Sequence, residues 1–282
     1  MKKNILVTGS SGYIGQHLCA LLEKEYNVFG LDYVAERFEK RTAPFNIRNK
    51  IKPWWFDFHD MPFQYDVVVH LAALVRVNES VKHPMLYYDT NINGTYNVLK
   101  EIPTKNFILA STGAAENPVS PYGISKLAAE SLVTNFCTKN KIDYTIFRFY
   151  NVIGSEGFEP TNPDGLMYNL IKAKKTGSFD LYGDDYDTPD GTPIRDYVHV
   201  LEICRAIKLA IERPSNAGVE NLGTGIGYSV QEIVNYFKEA NSCDFRVNIK
   251  PRRDGDPGAT VLKNVSPYMK KYYTIQEILK IK

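Results

Sequence analysis

The chain holds four cysteines, Cys19, Cys137, Cys204 and Cys243, and no two of them form a Cys-x-x-Cys unit. Such spacing supports neither a disulfide framework nor a zinc site, and buried thiols are expected instead. The five histidines show no paired ligand spacing either, so no metal centre is expected. No apolar stretch approaches the roughly 18 residues that a membrane span needs. Lysine plus arginine (34) nearly balances aspartate plus glutamate (32), and no basic block is interleaved with aromatics. A nucleic-acid groove is therefore not expected. Internal repeats and low-complexity tracts are absent too. The opening Met1-Lys2-Lys3-Asn4 is basic, but residues 5–7 are too short an apolar core for a signal peptide, and the stretch reads as the first strand of a cytoplasmic protein.

The 282 residues, 44% of them hydrophobic, can bury a large core and build two lobes. Residues 4–8 are a short apolar run that ends in Gly9-Ser10-Ser11-Gly12-Tyr13-Ile14-Gly15, and Leu18, Leu21 and Leu22 follow at helical spacing. This predicts a strand, a glycine turn and a helix. Glycine at 9, 12 and 15 lets backbone approach a pyrophosphate and lets the helix N-terminus meet its charge. A second strand, residues 28–31, delivers Asp32 about 20 residues past the loop, where an acid can bind the adenosine ribose hydroxyls. That carboxylate would repel a 2′-phosphate, so NAD is favoured over NADP; Arg37 is the one nearby residue that argues otherwise.

Thr112 and, ten positions later, Tyr122 lead into Pro121-Tyr122-Gly123-Ile124-Ser125-Lys126. Lys126 stands at i+4 from Tyr122, on one helical face. Only about one free tyrosine in a thousand is phenolate at pH 7, and recovering the base form costs roughly 4 kcal/mol. A cation nearby supplies part of that, so the pair can abstract a proton from an alcohol.

Strands and helices alternate through the first half. Apolar segments at 54–58, 66–73, 106–112 and 144–150 read as strands, and a helix is expected from Tyr87 to Lys100. The fold class is α/β, a doubly wound, mostly parallel Rossmann-type sheet with a smaller C-terminal lobe. Residues 1–151 are expected to form the dinucleotide domain and 152–282 the second lobe, with roughly 196–226 returning to the first. Ser229 with Glu232, and Thr274 with Glu277, read as capping boxes.

The glycine loop, the Thr with Tyr-x-x-x-Lys, and above all residues 181–200 (LYGDDYDTPDGTPIRDYVHV) resemble UDP-glucose 4-epimerases of the extended short-chain dehydrogenase/reductase group. Asn221-Leu222-Gly223-Thr224-Gly225 and Pro251-Arg252-Arg253-Asp254-Gly255-Asp256 follow in the family's order. The resemblance implies an NAD site lined by Gly9, Gly12, Tyr13, Ile14, Gly15, Asp32, Tyr33, Asp57, Phe58, Leu71, Ala72, Ala73, Asn91, Tyr122, Lys126 and Tyr150. It implies that Asn151, Leu166, Tyr182, Arg195, Arg253 and Asp256 hold a UDP-hexose. Chemistry supports the arginines independently, because a guanidinium fork bonds two diphosphate oxygens at once.

With Thr112, Tyr122 and Lys126 as catalytic residues, the implied reaction is transient oxidation at C4 followed by return of the hydride to the opposite face. A homodimer is implied as well, with Leu99, Leu132 and Phe136 as apolar surface or, equally, as monomer core. A 4,6-dehydratase would need an acid pair directly after Thr112, where Gly113 and Ala114 stand, unless Glu116 substitutes. A uronic-acid 4-epimerase and a non-catalytic NAD-binding regulator are the other readings. The segment from Gly113 to Pro121 is shorter than in the epimerases, and a small residue, Thr260, falls near the position that admits or excludes N-acetylated sugars.

Overall fold

The computed structural model describes residues 2–32, 64–253 and 256–281. The expected strand at 54–58 lies outside them. In chain order come β1 (Asn4–Thr8), α1 (Tyr13–Leu22), β2 (Asn27–Leu31) and β3 (Tyr65–His70). Then follow α2 (Val77–Lys82), α3 (Pro84–Tyr88), a π-helical turn (Asp89–Asn93) and α4 (Gly94–Glu101). Next are β4 (Thr104–Thr112), a 3-10 turn (Gly113–Ala115), α5 (Pro121–Asn140), β5 (Asp143–Phe149) and β6 (Asn151–Ile153). The remainder is α6 (Leu166–Thr176), β7 (Ser178–Tyr182), β8 (Ile194–His199), α7 (Val200–Glu212), β9 (Gly218–Leu222), β10 (Gly227–Ser229), α8 (Val230–Ala240), β11 (Arg246–Lys250), β12 (Ala259–Thr260) and α9 (Ile275–Leu279). Two compact units result, Met1–Arg148 with Cys204–Glu220, and Phe149–Ile203 with Asn221–Lys282.

The first unit is built on a six-stranded sheet of order β2-β1-β3-β4-β5-β9. β1 pairs in parallel with both β2 and β3, and β3 with β4. Ile5, Leu6, Val7, Val67, Val68 and Val69 are all buried, which is why these strands read as unbroken apolar runs rather than alternating ones. β2 lies on one side of β1 and β3 on the other, so the winding reverses between β1 and β3. In register, Thr8 faces both Leu31 and His70, so the carboxyl ends of these three strands are level. Ligands of doubly wound sheets bind beyond that edge.

The segment from Tyr87 to Lys100 is not the single helix expected. Pro84 lacks a backbone donor and opens α3 at its first position, directly after α2. The π turn then carries Asn91 inward. α5 begins at a cap, with the Gly123 N–H donating to Ser120 Oγ and Pro121 at the first position, and ends at Lys141 in the left-handed region. Ala129, Val133 and Cys137 of α5 join Leu6, Val68, Phe107, Leu109 and Ile146 in one core cluster.

In the second unit β8 pairs antiparallel with β10 and in parallel with β12 and β6, while β7 pairs with β11. Met167, Leu170, Phe179, Leu181, Phe237 and Leu279 are among the residues of its core. Both capping boxes form, Ser229 with Glu232 and Thr274 with Glu277. Asp196 on β8 is wholly buried and accepts hydrogen bonds from Thr224 N, Thr224 Oγ1, Gly225 N and Leu262 N. One carboxylate thereby fixes the 221–225 turn and the chain after β12.

Candidate active site

At the carboxyl edge of β1, Gly9 has φ +69°, and a Cβ there would stand 2.7 Å from Ala72 N. A Cβ on Gly15 would stand 2.2 Å from the Gly9 carbonyl oxygen. The loop is thus closed tightly on itself and against the 71–73 segment. Thr8 Oγ1 ties the same edge, accepting from Ala72 N at 3.2 Å and meeting His70 Nδ1 at 2.7 Å. Gly12 is the N-cap of α1, where no side chain caps the helix and no acid sits in its first turn. The hydroxyls of Ser10 and Ser11 are buried without a hydrogen-bond partner among the described residues. Helix-start donors that no side chain caps among the described residues, together with two unsatisfied hydroxyls, suit a bound phosphate group.

Asp32 sits at the end of β2 and accepts from Ser11 N at 2.7 Å, so the acid is oriented by the glycine loop itself. Tyr13 packs edge-on against His17 at 5.1 Å, and burial keeps its phenol protonated. The Ile14 carbonyl faces the Cys204 thiol. These features fit the pyrophosphate and adenosine ribose of a dinucleotide. Tyr33, Asp57 and Phe58, and also Arg37, lie outside the described residues.

Tyr122 and Lys126 occupy successive turns of α5 and are both buried, 9% and 3% exposed. Burial pushes the Tyr122 phenol up, and a hydrogen bond from the Thr112 side chain at the end of β4 pulls it back. Thr112 also caps the 3-10 turn, accepting from Ala114 N. Tyr122 lies in the first turn of its helix, where the positive end of the macrodipole favours phenolate. The ring of Tyr87 meets it edge-on at 6.4 Å, and Tyr87 is itself fixed, donating to Glu79 and accepting from Arg76 N. Burial lowers Lys126 to about 8, against an upward pull from Glu130.

Asn91 is 1% exposed and spends its amide on both polar groups of Leu74 and on Ser125 Oγ, which in turn donates to the Tyr122 carbonyl. It braces the 71–74 segment against α5. His70 bridges Thr8 and Thr95, and burial, with the Lys126 charge, lowers it to about 3, so it is neutral. Sequence reasoning missed Glu130, which accepts from Ser111 Oγ at 2.5 Å and from both ends of the Arg148 guanidinium at 2.9 and 2.7 Å. The signal was present, since Glu130 interrupts the buried face of α5 four residues after Lys126, and Arg148 is a charge inside an apolar strand.

The other candidates fall in the second unit. Arg195 on β8 forms a 2.5 Å ion pair with Asp256 and stands opposite Thr260 in the β8–β12 register. Arg253 stacks on the Tyr182 ring, 4.3 Å from its centroid. Asn151 donates to the Asp196 carbonyl at 3.2 Å, Tyr150 N donates to the Leu222 carbonyl, and Leu166 packs on the core at the start of α6. The structure therefore brings Arg195 together with Asp256, and Arg253 with Tyr182. Among the described residues no cluster of His, Cys, Asp or Glu is able to hold a metal ion, and no helix is long and apolar enough to cross a membrane.

Residues 5–223 match the family model of the NAD dependent epimerase/dehydratase family. The UDP-glucose 4-epimerase of Lactobacillus helveticus is 33% identical over 293 residues, covering 91% of this chain and 87% of that protein. A UDP-glucose 4-epimerase from Brucella ovis, solved in complex with NAD, superposes with a TM-score of 0.83 at 29% identity, over 98% of this chain and 96% of that one. The UDP-N-acetylglucosamine 4-epimerase of Methanobrevibacter ruminantium M1, solved with UDP-N-acetylmuramic acid, gives 0.83 at 26% identity, over 99% and 98%. With a tightly closed glycine loop, an acid at the end of β2 bonded to it, and Thr112 beside buried Tyr122 and Lys126 in one unit, and a family match across most of the sequence, the chain belongs to the NAD dependent epimerase/dehydratase family.

Proposed function

We propose that this protein is an NAD-dependent nucleotide-sugar 4-epimerase that interconverts UDP-glucose and UDP-galactose. The observation that carries the reading is the hydrogen bond between half-buried Thr112 and buried Tyr122, one turn from Lys126, in the same unit as the glycine cradle. The first unit is the NAD-binding domain, with Gly9, Gly12, Gly15 and the Ser10 and Ser11 hydroxyls at the pyrophosphate and Asp32 at the adenosine ribose. NAD, held by the glycine loop and Asp32, would supply a reversible hydride acceptor for C4 of the sugar. Tyr122 accepts the 4-hydroxyl proton and gives it back, Thr112 hydrogen-bonds the phenol oxygen, and Lys126 holds positive charge beside it.

The second unit is the substrate lobe. Arg253, stacked on Tyr182, and Arg195, oriented by Asp256, are suited to hold the diphosphate while the sugar turns. Glu116, the acid that elimination would need, is exposed beyond the turn that Thr112 caps, and Gly113 and Ala114 offer no proton donor. All four cysteines are free thiols, in keeping with the cytoplasm.

Purified protein given UDP-glucose, UDP-galactose, their N-acetyl forms and UDP-glucuronate separates these readings when the products are resolved by chromatography. Equilibration of the glucose and galactose forms is expected. A 4-keto-6-deoxy product, or turnover of UDP-glucuronate alone, overturns the assignment. Conversion of the N-acetyl forms as well would extend it, in line with the small Thr260.

We also propose a homodimer. Leu99 is buried, and Leu132 and Phe136 pack on the core, so these three serve the monomer. Instead Val81 of α2, Met85 and Leu86 of α3, Tyr96 of α4 and Ile124 and Leu127 of α5 are exposed on helices that each touch α5. Met85, 73% exposed, is the most open of them. Sedimentation at micromolar concentration is expected to give a dimer, and Met85→Glu to shift it towards monomer. A wild-type monomer overturns the proposal.

A further inference from the structure

Below the Tyr122 and Lys126 pair lies an ion pair that neither chemistry on the sugar nor core packing requires. Glu130 is 4% exposed, and Arg148 grips it from β5 through two parallel hydrogen bonds. Ser111 on β4 adds a third. Burying two charges costs free energy that their attraction returns only in part, and a well-packed apolar pair of the same size is often as stable. Stability alone is thus a poor reason for a carboxylate here. Its connections suggest another. Ser111 precedes Thr112 on β4, and Glu130 follows Lys126 by one helical turn on α5. The Ser111 bond therefore fixes the helix that carries Tyr122 and Lys126 against the strand that carries Thr112, and the two Arg148 bonds fix it against the neighbouring β5.

We propose that Glu130 is a positioning residue of the reaction, locking α5 onto β4 and β5 through Ser111 and Arg148 and setting a negative charge one turn from Lys126. The assignment rests on the catalytic roles of Tyr122 and Lys126 given above. Among the described residues the groups coupled to Lys126 are Glu130 of its own helix and His70 of β3, with Arg148 of β5 behind Glu130 and Tyr122 one helical turn before Lys126. His70 is neutral, so the charge that favours the Lys126 ammonium is that of Glu130. Without it the ammonium loses its proton at lower pH. A nearby opposite charge shifts a pKa by roughly one to three units, and because Arg148 partly offsets Glu130 the low end sets the scale of the effect.

The test is the pH profile of kcat for the NAD-loaded enzyme. Glu130→Gln is expected to move the alkaline limb, where Lys126 deprotonates, to lower pH by about one unit. Glu130→Asp keeps the charge and is expected to bring the limb back towards wild type. Ser111→Ala, which leaves the charge and the Arg148 contact in place, is expected to lower kcat several-fold with KM unchanged, and it serves where Glu130→Gln does not fold. An unchanged alkaline limb in Glu130→Gln, or an unchanged kcat in Ser111→Ala, overturns the proposal and leaves Glu130 a structural residue. The profile is read on whichever nucleotide sugar is turned over. A wild type that turns over only a sugar other than UDP-glucose and UDP-galactose, with the limb shift present in Glu130→Gln, would therefore reject the proposed function and not the role of Glu130.

Discussion

Tyr122→Phe is expected to lower turnover on UDP-galactose by about 10²–10⁴-fold, the range that a positioned proton acceptor contributes. The substitution removes one oxygen and nothing else. Phe keeps the ring edge-on to Tyr87, and the Thr112 hydroxyl retains its bond from Ala114 N. The cost to stability is then about 1 kcal/mol or less, that of one hydrogen bond lost. KM is expected to change little, since the proton moves only on the way to the transition state. Turnover within a few-fold of wild type, with the fold intact by thermal unfolding, would remove Tyr122 from the chemistry and revive the reading of a dinucleotide-binding regulator.

That residue and its lysine were legible because helical spacing is a local property, as were the glycine loop, the capping boxes and the strand that ends at Asp32. Each is written in consecutive residues. Glu130, Ser111 and Arg148 come from three elements, and only the fold brings them together. A sequence reader sees a charge on a buried face at Glu130 and another in the strand at Arg148, without a reason to join them. Apolar positions are ambiguous in another way. Leu99, Leu132 and Phe136 carry the same side chains whether they face the core or a partner, and they turn inward, while Met85 and Ile124 stay exposed. The expected helix from Tyr87 to Lys100 left out the start of α3, which Pro84 announces as a new first turn. The π turn was not readable, because it answers to hydrogen bonds from Asn91 to Leu74 and Ser125 that are distant in sequence.

Gly15→Ala is expected to be the most damaging single methyl group in the first unit. The new Cβ would lie 2.2 Å from the Gly9 carbonyl oxygen and 2.8 Å from Ser10 Cα, and both neighbours are backbone, with no rotamer to yield. Gly9 is held in turn, by its N–H bond to the Leu31 carbonyl and by contact with the 71–72 peptide. Relief therefore means moving α1 away from the loop, which opens the cradle and displaces Ser11 from Asp32. Overpacking of this kind costs about 1–3 kcal/mol and occasionally more, and the rigid surroundings put this site at the upper end. A drop in Tm of several degrees and loss of co-purifying NAD are the expected readouts. Gly94→Ala is the control. It opens α4, nothing lies within 4 Å of its added Cβ, and alanine favours a helix over glycine by up to about 1 kcal/mol. If both variants unfold alike, general intolerance of alanine explains the loss; if Gly15→Ala alone fails and sheds NAD, the closed glycine loop is what holds the cofactor.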